Sequence, residues 1–283
     1  MKHLKYFLQF IIILILFLIF KLIGLKFSTK FSGNLFRFIG PLFRSNKISN
    51  QNLAFAFPNM DEAEKRNLLK NMWFNYGCIF AEYVFIKKFI NSENVIIENK
   101  NILENINANS ERVIFVSGHF NNFELMAMHI VNSGIDLAAI YRPLNNIFLN
   151  PIMEKIRKKY ICKKQVKKGV SGTKDLLKLF KEGTSIALMI DQRVSQGIKC
   201  DLFNKKAYTT TIPAQFVKKF NCRIVPIYIE RLKDNNFKLK VYEPIKFKEN
   251  ESLEKITFDL NKVLESMIKE NPDQWIWTHN RWK

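Results

Sequence analysis

Residues 113–124 read VIFVSGHFNNFE, and their order sets the fold class. Four consecutive apolar residues, Val113–Val116, make a short buried strand, and Ser117-Gly118 ends it. From about Asn122 to Val131 apolar residues recur at helical spacing, so a strand feeds directly into a helix. The same alternation continues outward. Strands are predicted at Leu137–Tyr141, Ile186–Ile190, Ile224–Ile229 and Phe237–Val241, and helices at Ile147–Tyr160, Ser171–Lys181, Pro213–Phe220 and Ser252–Lys269. Upstream, Ser49–Ile86 reads as helical, with Asp61 as an N-cap and Glu64 three residues on. The pattern predicts an α/β domain with a mixed, mostly parallel sheet flanked by helices. In such sheets chemistry gathers at the carboxyl ends of the strands.

Three polar clusters fall at predicted strand ends: Gly118–Glu124, Tyr141–Asn146 and Asp191-Gln192-Arg193. Of four histidines, His119, His129 and His279 are candidates for a base near neutral pH, and His119 sits at a strand-to-helix junction. With Asn121 or Asn122 as the helix cap, Glu124 would lie in the first turn and fold back toward the imidazole. A carboxylate that keeps one ring nitrogen protonated makes the other a base for a hydroxyl proton. No GxSxG or similar nucleophile motif adjoins the pair, which favours direct transfer to a hydroxyl over a covalent enzyme intermediate. A structural histidine with a capping glutamate fits the same spacing. The metal reading lacks HExxH and a third-ligand motif, so no metal and no cofactor are expected.

Tyr6–Leu25 is apolar except for Gln9 and Lys21, long enough to span a bilayer, and no small-x-small cleavage site follows. Lys2 and Lys5 precede it and Lys21, Lys26, Lys30, Arg37 and Arg44 load its C-terminal side, which predicts one transmembrane helix with the main domain in the cytoplasm. Phe27–Phe43, aromatic and basic without acids, suits an interfacial stretch or a domain helix. The expected division is an anchor over 1–26, an interfacial segment over 27–48 and a catalytic domain over 49–283.

The 283 residues are 47% hydrophobic, which excludes disorder, and 10 Gly with 8 Pro exclude a fibrous chain. The net charge of +20 is inflated by a Lys excess, 35 against 10 Arg, that fits AT-rich codon drift. Clustering is the better signal: Lys155–Lys178 holds ten basic residues against one acid, Asp175, and calls for an anionic partner. Arg157, Arg193 and Arg281 stand out in that reading as bidentate phosphate grips. Trp275, Trp277 and Trp282 are expected as core anchors. Cys78, Cys162, Cys200 and Cys222 show no metal spacing and read as reduced thiols.

In order along the chain stand QNLAFAFPNMDEAEKRNLLKNMWFNYGCIFAEY, SGHFNNFE, YRPLNN, KKGVSGTKDLLKLFKEG, DQ, GIKCDLFNKKAYTTTIPAQ and NPDQWIWTHNRWK. The ordered set resembles the bacterial lipid A biosynthesis acyltransferases of lauroyl/myristoyl type, within the glycerolipid acyltransferase superfamily marked by HxxxxD/E. The resemblance implies a cell inner membrane enzyme in which His119 is the catalytic base and Glu124 its partner carboxylate. Arg142, Asn145, Asp191, Gln192 and Arg193 would line the substrate cleft. It further implies acyl-acyl carrier protein as donor and a lipid A precursor as acceptor, beside an anionic membrane surface; no nucleic-acid partner is expected. Asn121 and Phe123 depart from the usual GHFGNWE, and Lys199–Asn204 from the usual GIxVPFFG, which bears on chain length and acceptor. A superfamily enzyme acting on a glycerophospholipid, ornithine lipid or other glycolipid is the nearest rival. A membrane-tethered nucleic-acid-binding protein and a non-catalytic scaffold are more remote ones.

Overall fold

The computed structural model describes residues 2–44 and 46–283. The chain opens with helix α1 (Lys2–Phe43), which turns sharply at Gly24 (φ 80°), a conformation that costs glycine little. The turn frees backbone carbonyls, and Ser28 Oγ donates to those of Phe20 (2.9 Å) and Gly24 (2.6 Å). Beyond Gly24 one face of α1 packs on α3 (Glu62–Glu82). A Cβ on Gly77 would stand 2.2 Å from the Ser32 carbonyl, so only glycine admits this approach. Residues 27–43, for which an interfacial stretch and a domain helix are both expected, form a helix packed on α3, while Phe27, Phe31, Phe38 and Leu42 stay exposed on its outer edge.

Ser49–Ile86, read as helical with an N-cap at Asp61, forms two α-helices and a 3₁₀ stretch. Helix α2 (Asn46–Ala56) stops before Phe57-Pro58, because the residue ahead of proline is driven out of the helical region. Helix α3 restarts behind Asp61, whose side chain accepts from Ala63 and Glu64 while Glu64 accepts from the Asp61 N–H, a complete capping box. A 3₁₀ stretch, Tyr83–Phe89, follows α3.

The core is a seven-stranded sheet of β1 (Val95–Glu98), β2 (Ile114–Ser117), β3 (Leu137–Tyr141), β4 (Lys164–Lys167), β5 (Ser185–Met189), β8 (Ile224–Arg231) and β9 (Phe237–Val241). Their order is β1-β9-β8-β2-β5-β3-β4, parallel throughout except for β8 against β9. Helices α4 (Lys100–Ala108), α5 (Glu124–Asn132), α6 (Asn150–Tyr160), α7 (Val170–Lys181), α8 (Ile212–Phe220) and α9 (Leu253–Glu270) surround it. The α/β class and its mostly parallel sheet are as the alternation predicts. The missed strands β1 and β4 are the two edges, where KQVK buries only Val166 and turns lysines outward. Also unpredicted is a separate hairpin, β6 (Ile198–Leu202) and β7 (Lys205–Thr209). Its two turn residues, Phe203 and Asn204, both have positive φ, as a tight twisted hairpin requires.

Candidate active site

Strands β2 and β5 are parallel neighbours, with Ser117 opposite Met189, so the loops leaving their carboxyl ends emerge side by side. His119 leaves β2 and Asp191 leaves β5. Asp191 Oδ1 lies 2.8 Å from His119 Nδ1, and Oδ2 accepts the His119 backbone N–H at 2.7 Å and Trp275 Nε1 at 2.9 Å. The carboxylate is fully enclosed, and burial alone would raise its pKa. The imidazole and these hydrogen bonds outweigh burial and hold it down at about 2. An ionised carboxylate only accepts, so the proton sits on Nδ1 and Nε2 is left as the basic nitrogen.

Burial also works against a charged His119, and the Asp191 carboxylate outweighs it, so the pKa is raised from 6.5. Burial instead pushes His129 and His279 down. His279 Nε2 accepts the Arg193 N–H at 3.0 Å, and His129 lies buried on α5 away from the cavity walls.

Glu124 does not turn back to the imidazole. No side-chain cap precedes α5: Phe123 takes the N-cap position, Asn121 adopts a positive φ of 37°, and the Asn122 amide is spent on Glu82 at 2.9 Å. Glu124, in the first turn, accepts Tyr83 OH at 2.5 Å and Arg157 Nε and Nη2 at 2.8 and 2.6 Å, all on Oε1. The partner expected from spacing is therefore a buried anchor for Arg157, because the imidazole's carboxylate arrives from the neighbouring strand.

His119, Glu124 and Arg157 line one cavity of about 890 Å³, within the roughly 300–1,000 Å³ typical of small-ligand sites. Its depth is apolar, walled by residues such as Met126, Ile130, Ala139, Ile140, Leu188 and Ile227, and its polar wall carries Arg142, Lys168, Gln192 and His279. Arg142 is exposed and makes no hydrogen bond or ion pair among the described residues.

Of the residues expected to line the cleft, Arg142 and Gln192 do so. Asp191 lies beneath the imidazole, completely buried, and is out of reach of a substrate. Asn145 is exposed outside the cavity walls; its neighbour Asn146 is the buried one, accepting from Phe148 and Leu149. Arg193 is turned to the chain end, donating from Nε to the Lys283 carbonyl at 3.1 Å. Arg157 and Arg281 are likewise engaged by the protein: Arg281 is fully buried on the Tyr208 carbonyl and Thr209 Oγ1, both at 2.7 Å. Sequence reasoning placed Trp275 in the core, where it is, and missed that its N–H holds Asp191. A second network behind the His119 loop was also invisible. Glu82 binds Asn122 and the Arg231 guanidinium, and Gln274 ties the Asn121 amide to the backbone of Arg231. Among the described residues no group of three or more His, Cys, Asp or Glu could hold a metal ion.

The chain matches the family model described as bacterial lipid A biosynthesis acyltransferase over residues 1–283. It is 23% identical over 261 residues to the lipid A biosynthesis myristoyltransferase of Escherichia coli (strain K12), covering 89% of this chain and 80% of the relative. Lipid A biosynthesis acyltransferase 2 of Shigella flexneri is 21% identical over 252 residues, 85% of this chain and 79% of that protein. With the family model spanning its whole length, the chain belongs to the bacterial lipid A biosynthesis acyltransferase family.

Proposed function

We infer that this acyltransferase moves a fatty acyl group from an acyl carrier protein thioester to a free hydroxyl on an acyl chain of a lipid A precursor, with His119 as general base. The observation that carries the reading is the His119 imidazole, held by the buried Asp191 carboxylate on the wall of a cavity with an apolar interior. Nε2 takes the hydroxyl proton as the oxygen attacks the thioester carbonyl. The new C–O bond gives a tetrahedral oxyanion; as its C=O re-forms the C–S bond breaks, and the same proton passes from Nε2 to the leaving sulfur. The apolar walls suit an acyl chain.

Arg142 is the oxyanion donor in this reading: Arg157 on the cavity wall is bound by Glu124, and of the two wall guanidiniums without a hydrogen bond among the described residues, Arg142 and Arg44, Arg142 follows β3, next to β5 in the sheet whose strand ends carry His119 and Asp191. The Arg142→Ala enzyme is expected to lose roughly 10²- to 10³-fold in kcat with a small change in KM. A rise in KM with kcat intact assigns Arg142 to a phosphate of the acceptor instead.

The basic cluster between Lys155 and Lys178 frames the same opening, with Lys168 on the cavity wall. Arg157 is drawn inward to Glu124 and Lys164 pairs with Asp136 at the surface, and the remaining lysines suit an acidic donor carrier. Attachment to the cytoplasmic face of the inner membrane through α1 brings the site to its lipid acceptor; an 18-residue window within Lys2–Ile23 has a mean hydropathy of 2.7.

The test is transfer in detergent with donors of graded chain length, on carrier protein or coenzyme A, and a tetra-acylated precursor bearing its sugar acids. A mass gain of one acyl chain from the carrier-bound donor supports the reading. Transfer to a lysophospholipid or amino lipid and not to the precursor removes the acceptor assignment and keeps the chemistry. An unchanged yield on a precursor without a free hydroxyl sinks the proposed attack.

A further inference from the structure

The first half of α1 lies along the domain instead of projecting from it. From Tyr6 through Phe10, Ile13, Leu16 and Phe17 to Phe20, every third or fourth residue is half-buried or buried, so one stripe of the helix faces protein over its length. Phe148 sits 5.5 Å from Phe7 and 5.9 Å from Phe10, ring centre to ring centre, and Phe80 sits 5.2 Å from Phe17. Asn146 Nδ2 donates to the Tyr6 carbonyl at 2.9 Å, clasping the start of the helix to the loop after β3. The opposite face, including Leu4, Leu8, Ile12, Ile15, Leu18 and Leu22, is bare.

These contacts constrain the membrane geometry. Tyr6 lies 18 residues before Gly24, about 27 Å along a helix, nearly the roughly 30 Å thickness of a bilayer's hydrocarbon. A helix crossing upright would carry the clasped loop to the far headgroups and draw Arg142 and the neighbouring lysines into hydrocarbon, where charge is strongly disfavoured. Laid flat, a helix about 10 Å across fits within one leaflet of roughly 15 Å. Lysines at both ends, Lys2 and Lys5 against Lys21 and Lys26, then meet the same anionic surface. Leu144 and Ile147 are exposed on the loop clasped to α1, and Ser28 satisfies the carbonyls that the Gly24 turn frees.

We propose that α1 up to Gly24 lies in the plane of the cytoplasmic leaflet without crossing the bilayer, and that the loop Leu144–Leu149 is immersed beside it. The proposal rests on the membrane attachment inferred above and departs from the single crossing that length alone predicts. It places the exposed Arg142, two residues before Leu144, at the lipid surface, so the acceptor enters the cavity sideways from the leaflet.

The four native cysteines are all buried, so single reporters can be read against a quiet background. His3→Cys and the exposed control Lys248→Cys are labelled with an impermeant maleimide in right-side-out and inverted membrane vesicles. Ile147→Cys carries an environment-sensitive fluorophore, read with lipid-borne nitroxides. The expected result is labelling of His3→Cys and Lys248→Cys from the same side with ratios within about twofold, and shallow nitroxide quenching at Ile147→Cys. Labelling of His3→Cys only from the side opposite Lys248→Cys establishes a crossing and overturns the proposal while leaving membrane attachment intact. Full-length protein that washes off vesicles overturns both.

Discussion

The Asp191→Asn enzyme is expected to transfer acyl groups roughly 10²- to 10⁴-fold more slowly than the parent while keeping its fold, with His119→Ala losing at least as much. The amide fills the carboxylate's volume and can still accept from Trp275 Nε1, so packing is conserved. It has no charge to fix the Nδ1 proton or to stabilise the imidazolium as Nε2 takes the hydroxyl proton. The pH profile separates this account from simple misplacement. In the parent, Asp191 raises the His119 pKa despite burial, so activity falls as pH drops through a value above 6.5. In Asp191→Asn that upward pull is gone while burial remains, so the imidazole pKa falls and the acid limb moves to lower pH. The double variant should be little worse than His119→Ala alone, because the two residues act as a unit. A double variant with the product of both losses, or an acid limb unmoved in Asp191→Asn, would show that Asp191 does not act through the imidazole.

The largest stability effect is expected at Glu82. This carboxylate is fully buried, pairs with the enclosed Arg231 guanidinium and accepts from Asn122 at 2.9 Å. Burial would lower the Arg231 pKa, and Glu82 outweighs it and holds it raised. Glu82→Ala strands a buried cation and should cost about 3–5 kcal/mol, a fall of roughly ten degrees or more in Tm. Replacing both members is a different matter. Glu82→Leu with Arg231→Met should recover most of the loss, since a buried ion pair exchanged for apolar volume is often neutral. Activity should stay low in that double variant, because Asn122, three residues after His119, has lost its anchor. Thermal unfolding beside the transfer rate reads both effects, and an unrecovered Tm in the double variant would show that the pair stabilises by more than mutual neutralisation.

Much of the fold was legible because the hydrophobic periods of strands and helices are local. Leu137–Tyr141 and Phe237–Val241 are strands over the residues expected, and α5 to α9 begin within three residues of expectation. The failures have local causes too. The helical reading of Ser49–Ile86 left out the break at Phe57-Pro58, and the edge strands β1 and β4 carry too few buried residues for a periodic signal. The residues of the candidate site were also within reach, since His119, Glu124, Arg142, Gln192 and Asp191 all stand beside strand ends.

What each of them touches was not. A helical first turn five residues from His119 made Glu124 the natural partner, whereas the carboxylate at 2.8 Å comes from 72 residues away. That choice depends on β2 and β5 lying side by side, a pairing made by backbone hydrogen bonds that carry no residue-specific signature. Glu124 is drawn off by Arg157 and Tyr83, 33 and 41 residues distant, which become neighbours only once α6 and the end of α3 have packed. The sequence by itself determined the alternation of strands and helices, the apolar N-terminal helix and the inventory of reactive side chains. Only the tertiary structure decided which acid serves the imidazole, that Arg157 at the cavity is bound by the protein, and that the apolar helix lies along the domain. Those outcomes depend on side chains meeting across long loops, where burial and charge pairing select among several partners that the order of residues leaves equivalent.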